Sequence, residues 1–174
     1  MSCLIEHQND ELVVVLSFKR EQLMYDIENY CFIEGNVSEA ESARIKHEIQ
    51  AAGDDGNVDR VTRVLNLNVA KIRELLFPYT KHEIHRKELD DILKEPDVYG
   101  VVLKLPTTYS QTTINYMELL IHEYLVCEVM TDWMSFTNLQ KVEMWKARSI
   151  EAKNSLKSCM AVRLGRVRRK SHPF

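Results

Sequence analysis

The sequence predicts a mainly α protein: a helical bundle with a long C-terminal helical hairpin and a small two-stranded β element. Three observations predict it. Glycine and proline number only 5 and 4 in 174 residues, too few for the many tight turns of a sandwich or barrel. Apolar residues recur at helical spacing through most of the chain, while only 11–18 and 98–105 read as strands. Hydrophobic residues make up 45% and charged residues 28%, a globular composition that argues against disorder, collagen or a disulfide mini-scaffold. The length suits one domain. Residues 1–164 are expected to form it, with 165–174 leaving as a basic C-terminal arm.

Residues 11–18 (ELVVVLSF) are a β-branched run, apolar on both faces, which suits a short, well-covered strand. From Lys19 the period changes. Leu23, Ile27, Tyr30 and Cys31, with Met24, place one stripe on a helix reaching about Glu34, and Gly35-Asn36 offers a C-cap. Ser38 and Glu41 form a capping box that opens a polar surface helix to about Ala52. Gly53-Asp54-Asp55-Gly56-Asn57 reads as a loop. A stronger helix follows with Val58, Val61, Leu65, Ile72, Leu75 and Leu76 on one face, halted by Pro78. Thr80 and Glu83 open a charged helix to about Lys94.

Val101, Leu103 and Leu105 alternate with Lys104 in the second strand, 98–105, which is expected to pair with 11–18. The next helix, about 113–134, is apolar around most of its circumference, with Ile114, Met117, Ile121, Tyr124 and Leu125 as its main stripe. A break at Ser135 and a Thr137/Gln140 box should open the last helix, to about Leu164, carrying Val142, Trp145, Ala152, Leu156, Cys159 and Met160. Two long helices joined by so short a turn pack antiparallel.

Charge is segregated. The net is −3, yet Lys157–Phe174 holds six basic residues and no acid, leaving 17 basic against 26 acidic residues elsewhere, a net of −9. An acidic body repels nucleic acid at long range, and a basic arm seeks an acidic partner. Cys3, Cys31, Cys127 and Cys159 are widely spaced and read as reduced thiols, three of them in helical cores. The opening residues carry neither a basic n-region nor a long apolar core, so the chain is not expected to be secreted, and no membrane span is expected.

Four sequence features resemble catalytic or ligand-binding motifs, and each departs from its motif. His82 and His85 are spaced H-x-x-H rather than H-E-x-x-H and open a charged helix, so they read as solvated, and no metal is expected. Glu118 and His122, at i,i+4, would let a carboxylate orient an imidazole, but without a nearby nucleophile they read as an ion pair on the helix edge. Gly53–Asp59 lacks the carboxylates of a calcium loop and reads as a turn with an N-cap. The scattered glycines match no phosphate loop or nucleophile elbow. No catalytic residue and no cofactor is therefore assigned, and an enzyme is not expected. Trp133, Trp145 and Phe136 read as core.

The arm is the candidate partner-binding element. Arg163, Arg166, Arg168, Arg169 and Lys170 supply charge, and Pro173-Phe174 supplies an apolar anchor for an acidic protein surface. The same residues allow contact with phosphates, although no aromatic is interleaved before Phe174 to stack on bases.

Tyr124–Trp133, Trp145–Leu156 and Gly165–Arg169 together resemble the closing helices of small head–tail connector or head-completion proteins of tailed phages and prophages. The likeness covers about the last third of the chain. It implies a non-enzymatic building block forming a ring through heterologous contacts, its partners being other copies and neighbouring virion proteins such as a portal. It further implies a place in the virion or the bacterial host cytoplasm. A small nucleic-acid-associated regulatory protein, binding through the arm, is the alternative expectation.

Overall fold

The computed structural model describes residues 2–8, 11–37, 43–76, 96–107 and 109–161. Among the described residues three strands and five helices follow in the order β1 (Ser2–Gln8), β2 (Glu11–Lys19), α1 (Arg20–Val37), α2 (Ala43–Gln50), α3 (Asp55–Leu75), β3 (Val98–Pro106), α4 (Gln111–Thr137) and α5 (Leu139–Ala161), with a 3-10 turn at Ala51–Gly53. The fold is mainly α, as expected, but the sheet has three strands rather than two.

All pairing is antiparallel, in the order β1-β2-β3. The expected partnership of 11–18 with 98–105 holds, with Val14 opposite Leu103 and Leu16 opposite Val101. β1 adds the third strand: Gln8 pairs with Glu11, so only two residues, Asn9 and Asp10, separate the paired positions. Such a short connection joins antiparallel neighbours. β2 differs from the expected doubly covered strand. Leu12, Val14, Leu16 and Phe18 are buried toward the helices, whereas Val13 and Val15 are only half-buried. Among the described residues the helices cover one face of the sheet, and on the other the central strand's valines lie beside their cross-strand neighbours Val102 and Lys104.

α4 is the axis of the helical layer and packs against α1, α2, α3 and α5. Its buried positions, from Ile114 through Met117, Ile121, Leu125, Cys127 and Met130 to Met134, cover nearly the whole circumference. Burying residues on all sides of one helix requires partners on all sides, and these elements supply them. α5 returns antiparallel. Met117 and Met160 both approach the Tyr109 hydroxyl near one end of the hairpin, and Arg148 reaches Glu123 at 2.6 Å midway. Asn138 alone separates the two helices.

Three helix boundaries differ from the local signals. α1 runs through Gly35 and Asn36 to Val37. Gly35 is buried beneath α2, where an added Cβ would stand 2.6 Å from Gln50 Cγ. Close approach, rather than a cap, is what needs a glycine there. α4 continues through Ser135 because Ser135 Oγ donates to the Asp132 carbonyl (2.6 Å), and Thr137 Oγ1 donates to the Trp133 carbonyl (2.9 Å). Hydroxyls that bond back within a helix do not cap the next one. α3 begins at Asp55, inside the expected loop, after the 3-10 turn. Asn57 secures that junction by donating from Nδ2 to the Ala51 carbonyl at 2.7 Å. The capping boxes at Ser38/Glu41 and Thr80/Glu83 and the charged helix to Lys94 lie outside the described residues.

Polar clasps tie the layers together. Arg73 of α3 donates through Nη2 to the Gly100 carbonyl of β3 at 2.7 Å. Arg20 donates to the buried Thr62 hydroxyl at 3.1 Å, linking α1 to α3. Trp133 Nε1 donates to the Ile49 carbonyl at 2.9 Å, so the indole anchors α2 as well as filling the core. Glu34 of α1 pairs with Lys141 of α5 at 3.2 Å.

Candidate functional site

The pair Glu118/His122 is not brought together. His122 turns toward α1, where its Nε2 stands 2.7 Å from Asp26 Oδ2, with the Phe18 ring 6.5 Å from the imidazole. The imidazole is buried and its Nδ1 has no hydrogen-bond partner among the described residues. A carboxylate on the packed helix, not the one on its own helix, thus orients this histidine. The arrangement joins α1 to α4, and neither Glu118 nor His122 lines the hollows described below.

The four cysteines are free thiols. Burial pushes the Cys31 thiol up to about 12, with Glu34 and Glu28 adding to the effect. Cys127 is likewise pushed up to about 12, by burial first and then by Glu123. Burial and the neighbouring Glu118 raise Cys3. These are poorly nucleophilic thiols. Trp133 and Trp145 are buried as expected, but Phe136 lies on the surface under the Arg60 guanidinium, 3.9 Å from the ring centre. Among the described residues no three potential metal ligands cluster. His82 and His85 lie outside them.

Arg163, Arg166, Arg168, Arg169, Lys170 and Phe174 also lie outside the described residues. Among the described residues the charges of the body are unevenly compensated. Arg60–Asp132 (2.9 Å), Lys71–Glu128 (3.5 Å), Lys141–Glu34 (3.2 Å) and Arg148–Glu123 (2.6 Å) neutralise carboxylates around α4 and the end of α1. The start of α1 is different. Glu21, Glu28, Asp54 and Asp97 make no ion pair among the described residues.

These four carboxylates border two hollows that share Tyr25 and Glu28. One, of about 660 Å³, is lined by Lys19, Arg20, Glu21, Met24, Tyr25, Glu28, Val58, Asp97 and Val98. The other, of about 440 Å³, is lined by Tyr25, Glu28, Asn29, Phe32, Gln50, Gly53 and Asp54. Between them α1 raises an aromatic ridge, Tyr25 being 64% exposed and Phe32 57%. The local sequence explains the ridge. Leu23, Ile27 and Cys31 turn one helical stripe into the core, which leaves Tyr25, Glu28, Asn29 and Phe32 (i, i+3, i+4, i+7) on the opposite side. Asp54 arrives from the junction before α3 and Asp97 from the residue before β3.

The resulting groove combines negative charge with exposed aromatic surface. It suits a cationic peptide that also carries an apolar group. The sequence pointed to the arm through its charge run, whereas the groove is assembled from three separated segments. The i, i+3, i+4, i+7 pattern was the one local signal for its ridge. No helix among the described residues is long and apolar enough to cross a membrane. Comparison with known proteins finds no matching family model, no similar curated protein and no matching solved structure.

Proposed function

We propose that this chain is a structural assembly protein whose copies join through heterologous contacts, the basic arm of one copy meeting the acidic body of the next. The observation that carries this reading is the separation of charge: six bases and no acid over Lys157–Phe174, against a net of −9 over the rest. Exposed carboxylates near the start of α1 support it: Glu21, Glu28, Asp54 and Asp97 make no ion pair among the described residues and outnumber Lys19 and Arg20 beside them. Contacts of unlike surfaces close into a ring when the rotation between copies permits. In its most specific form the reading is a head–tail connector or head-completion component of a tailed-phage or prophage particle. It would act in the virion or the host cytoplasm against a portal or a similar neighbour.

Neutralising the arm tests this without shortening the chain. A variant combining Arg166→Gln, Arg168→Gln, Arg169→Gln and Lys170→Gln is expected to scatter light as a single copy at low salt. The natural chain is expected to scatter as a multiple of one fixed number of copies. Equal masses for the two would overturn the arm's role. Retention of the natural chain on duplex DNA, falling steeply with salt and lost in the variant, would favour the nucleic-acid alternative.

A further inference from the structure

We infer that the groove along the outer side of α1 is the acceptor for the basic arm of a second copy, an assignment that rests on the assembly reading. Three features favour this occupant. The first is complementary charge: Glu21, Glu28, Asp54 and Asp97 outnumber Lys19 and Arg20 in the lining of the two hollows and make no ion pair among the described residues, which leaves a net negative surface for Arg166, Arg168, Arg169 and Lys170. The second is the aromatic ridge, which offers Tyr25 and Phe32 to the Phe174 ring and to the arginines. Guanidinium groups stack on aromatic faces as well as pairing with carboxylates.

The third feature is geometry. From Glu21 to Phe32 the ridge runs about 17 Å along the helix axis. Arg166–Phe174, stretched to the limit of a polypeptide, spans about 27 Å, enough to lay its four bases and its aromatic along that ridge. The arm follows α5, whose last described turn is held by the Tyr109 hydroxyl donating to the Cys159 carbonyl at 3.1 Å, just beyond the end of β3. The groove lies at the other end of that strand, beside Val98, about 26 Å away at the usual strand rise. Donor and acceptor at opposite ends of one body suit head-to-tail contacts between copies.

The test uses two full-length variants of reversed charge. One carries Glu21→Lys and Glu28→Lys in the groove; the other carries Arg168→Glu and Arg169→Glu in the arm. Both groove residues are exposed, so far-UV circular dichroism is expected to match that of the natural chain. Each variant alone is expected to run as a single copy at low salt, and an equimolar mixture is expected to recover assembly as natural and reversed pairs alternate between the two. A labelled peptide covering 163–174 is also titrated onto each full chain. Its affinity for the groove variant is expected to fall on the order of tenfold or more, since two exposed attractions become repulsions.

Assembly that survives groove reversal would overturn the acceptor while leaving the assembly reading in place. Recovery only when all four substitutions share one chain, and never on mixing, would place the arm on its own body and overturn the second copy. A natural chain that stays single at every concentration, yet binds the peptide through Glu21 and Glu28, would remove the assembly reading and retain the groove as a peptide acceptor.

Discussion

Cys31, Cys127 and Tyr124 all hold their protons more tightly folded than unfolded, because burial in the core around α4 withholds the water their anions need. Each is pushed up to about 12, from ordinary values of 9.0 for the thiols and 10.0 for the phenol. A raised pKa on an acid that is neutral when protonated gives stability that is complete below the unfolded value. That stability is lost as pH climbs toward the folded one. The denaturant midpoint is therefore expected to fall steadily between about pH 9 and pH 12. A Cys31→Ala, Cys127→Ala double variant is expected to lose part of that slope, as measured by urea titrations at several pH values. A flat midpoint across this window would contradict the burial of these groups. The residue scale also shows where local spacing misleads. Glu118 and His122 sit four apart, but the partner of His122 is Asp26, 96 positions away, and nothing in either segment announces that meeting.

At the scale of elements, most of the helices were legible because a stripe of apolar residues specifies a helix whatever surrounds it. α3, α4, α5 and the pairing of β2 with β3 follow from such patterns. Element ends were less legible, since they depend on neighbours: Gly35 answers to Gln50 on another helix, and Ser135 and Thr137 bond back into α4 rather than break it. β1 was missed because it is short and weakly apolar. Its readable trace is the Asn9-Asp10 pair between the apolar Cys3-Leu4-Ile5 and the run from Leu12, a turn signal that asks for a strand on each side. The hairpin of α4 and α5 supplies the element-scale prediction. Trp145 is fully buried, with Tyr30 edge-on at 5.0 Å and the Arg148 guanidinium 4.6 Å from its ring. Trp145→Ala is expected to cost about 3–5 kcal/mol, seen as a lower denaturant midpoint with an unchanged slope. Loss of less than about 1 kcal/mol would mean that α5 does not close the core as described.

For the whole molecule, the arm could be read from the sequence because a run of like charges needs no folding to be visible. The groove proposed as its acceptor could not, for Tyr25, Asp54 and Asp97 belong to segments that only the fold brings side by side. Attraction between a basic arm and an exposed acidic groove is screened over about 10 Å at 0.1 M salt and about 3 Å at 1 M. Contacts built this way weaken with ionic strength, whereas contacts built on apolar burial alone do not. Sedimentation of the natural full-length chain at 0.05 M and at 1 M sodium chloride measures the difference. A discrete multiple of the 20.4 kDa chain at low salt, dissociating toward one copy at high salt, is the result expected. A single copy in both solutions, or a multimer indifferent to salt, would contradict the assembly of copies through opposite charges.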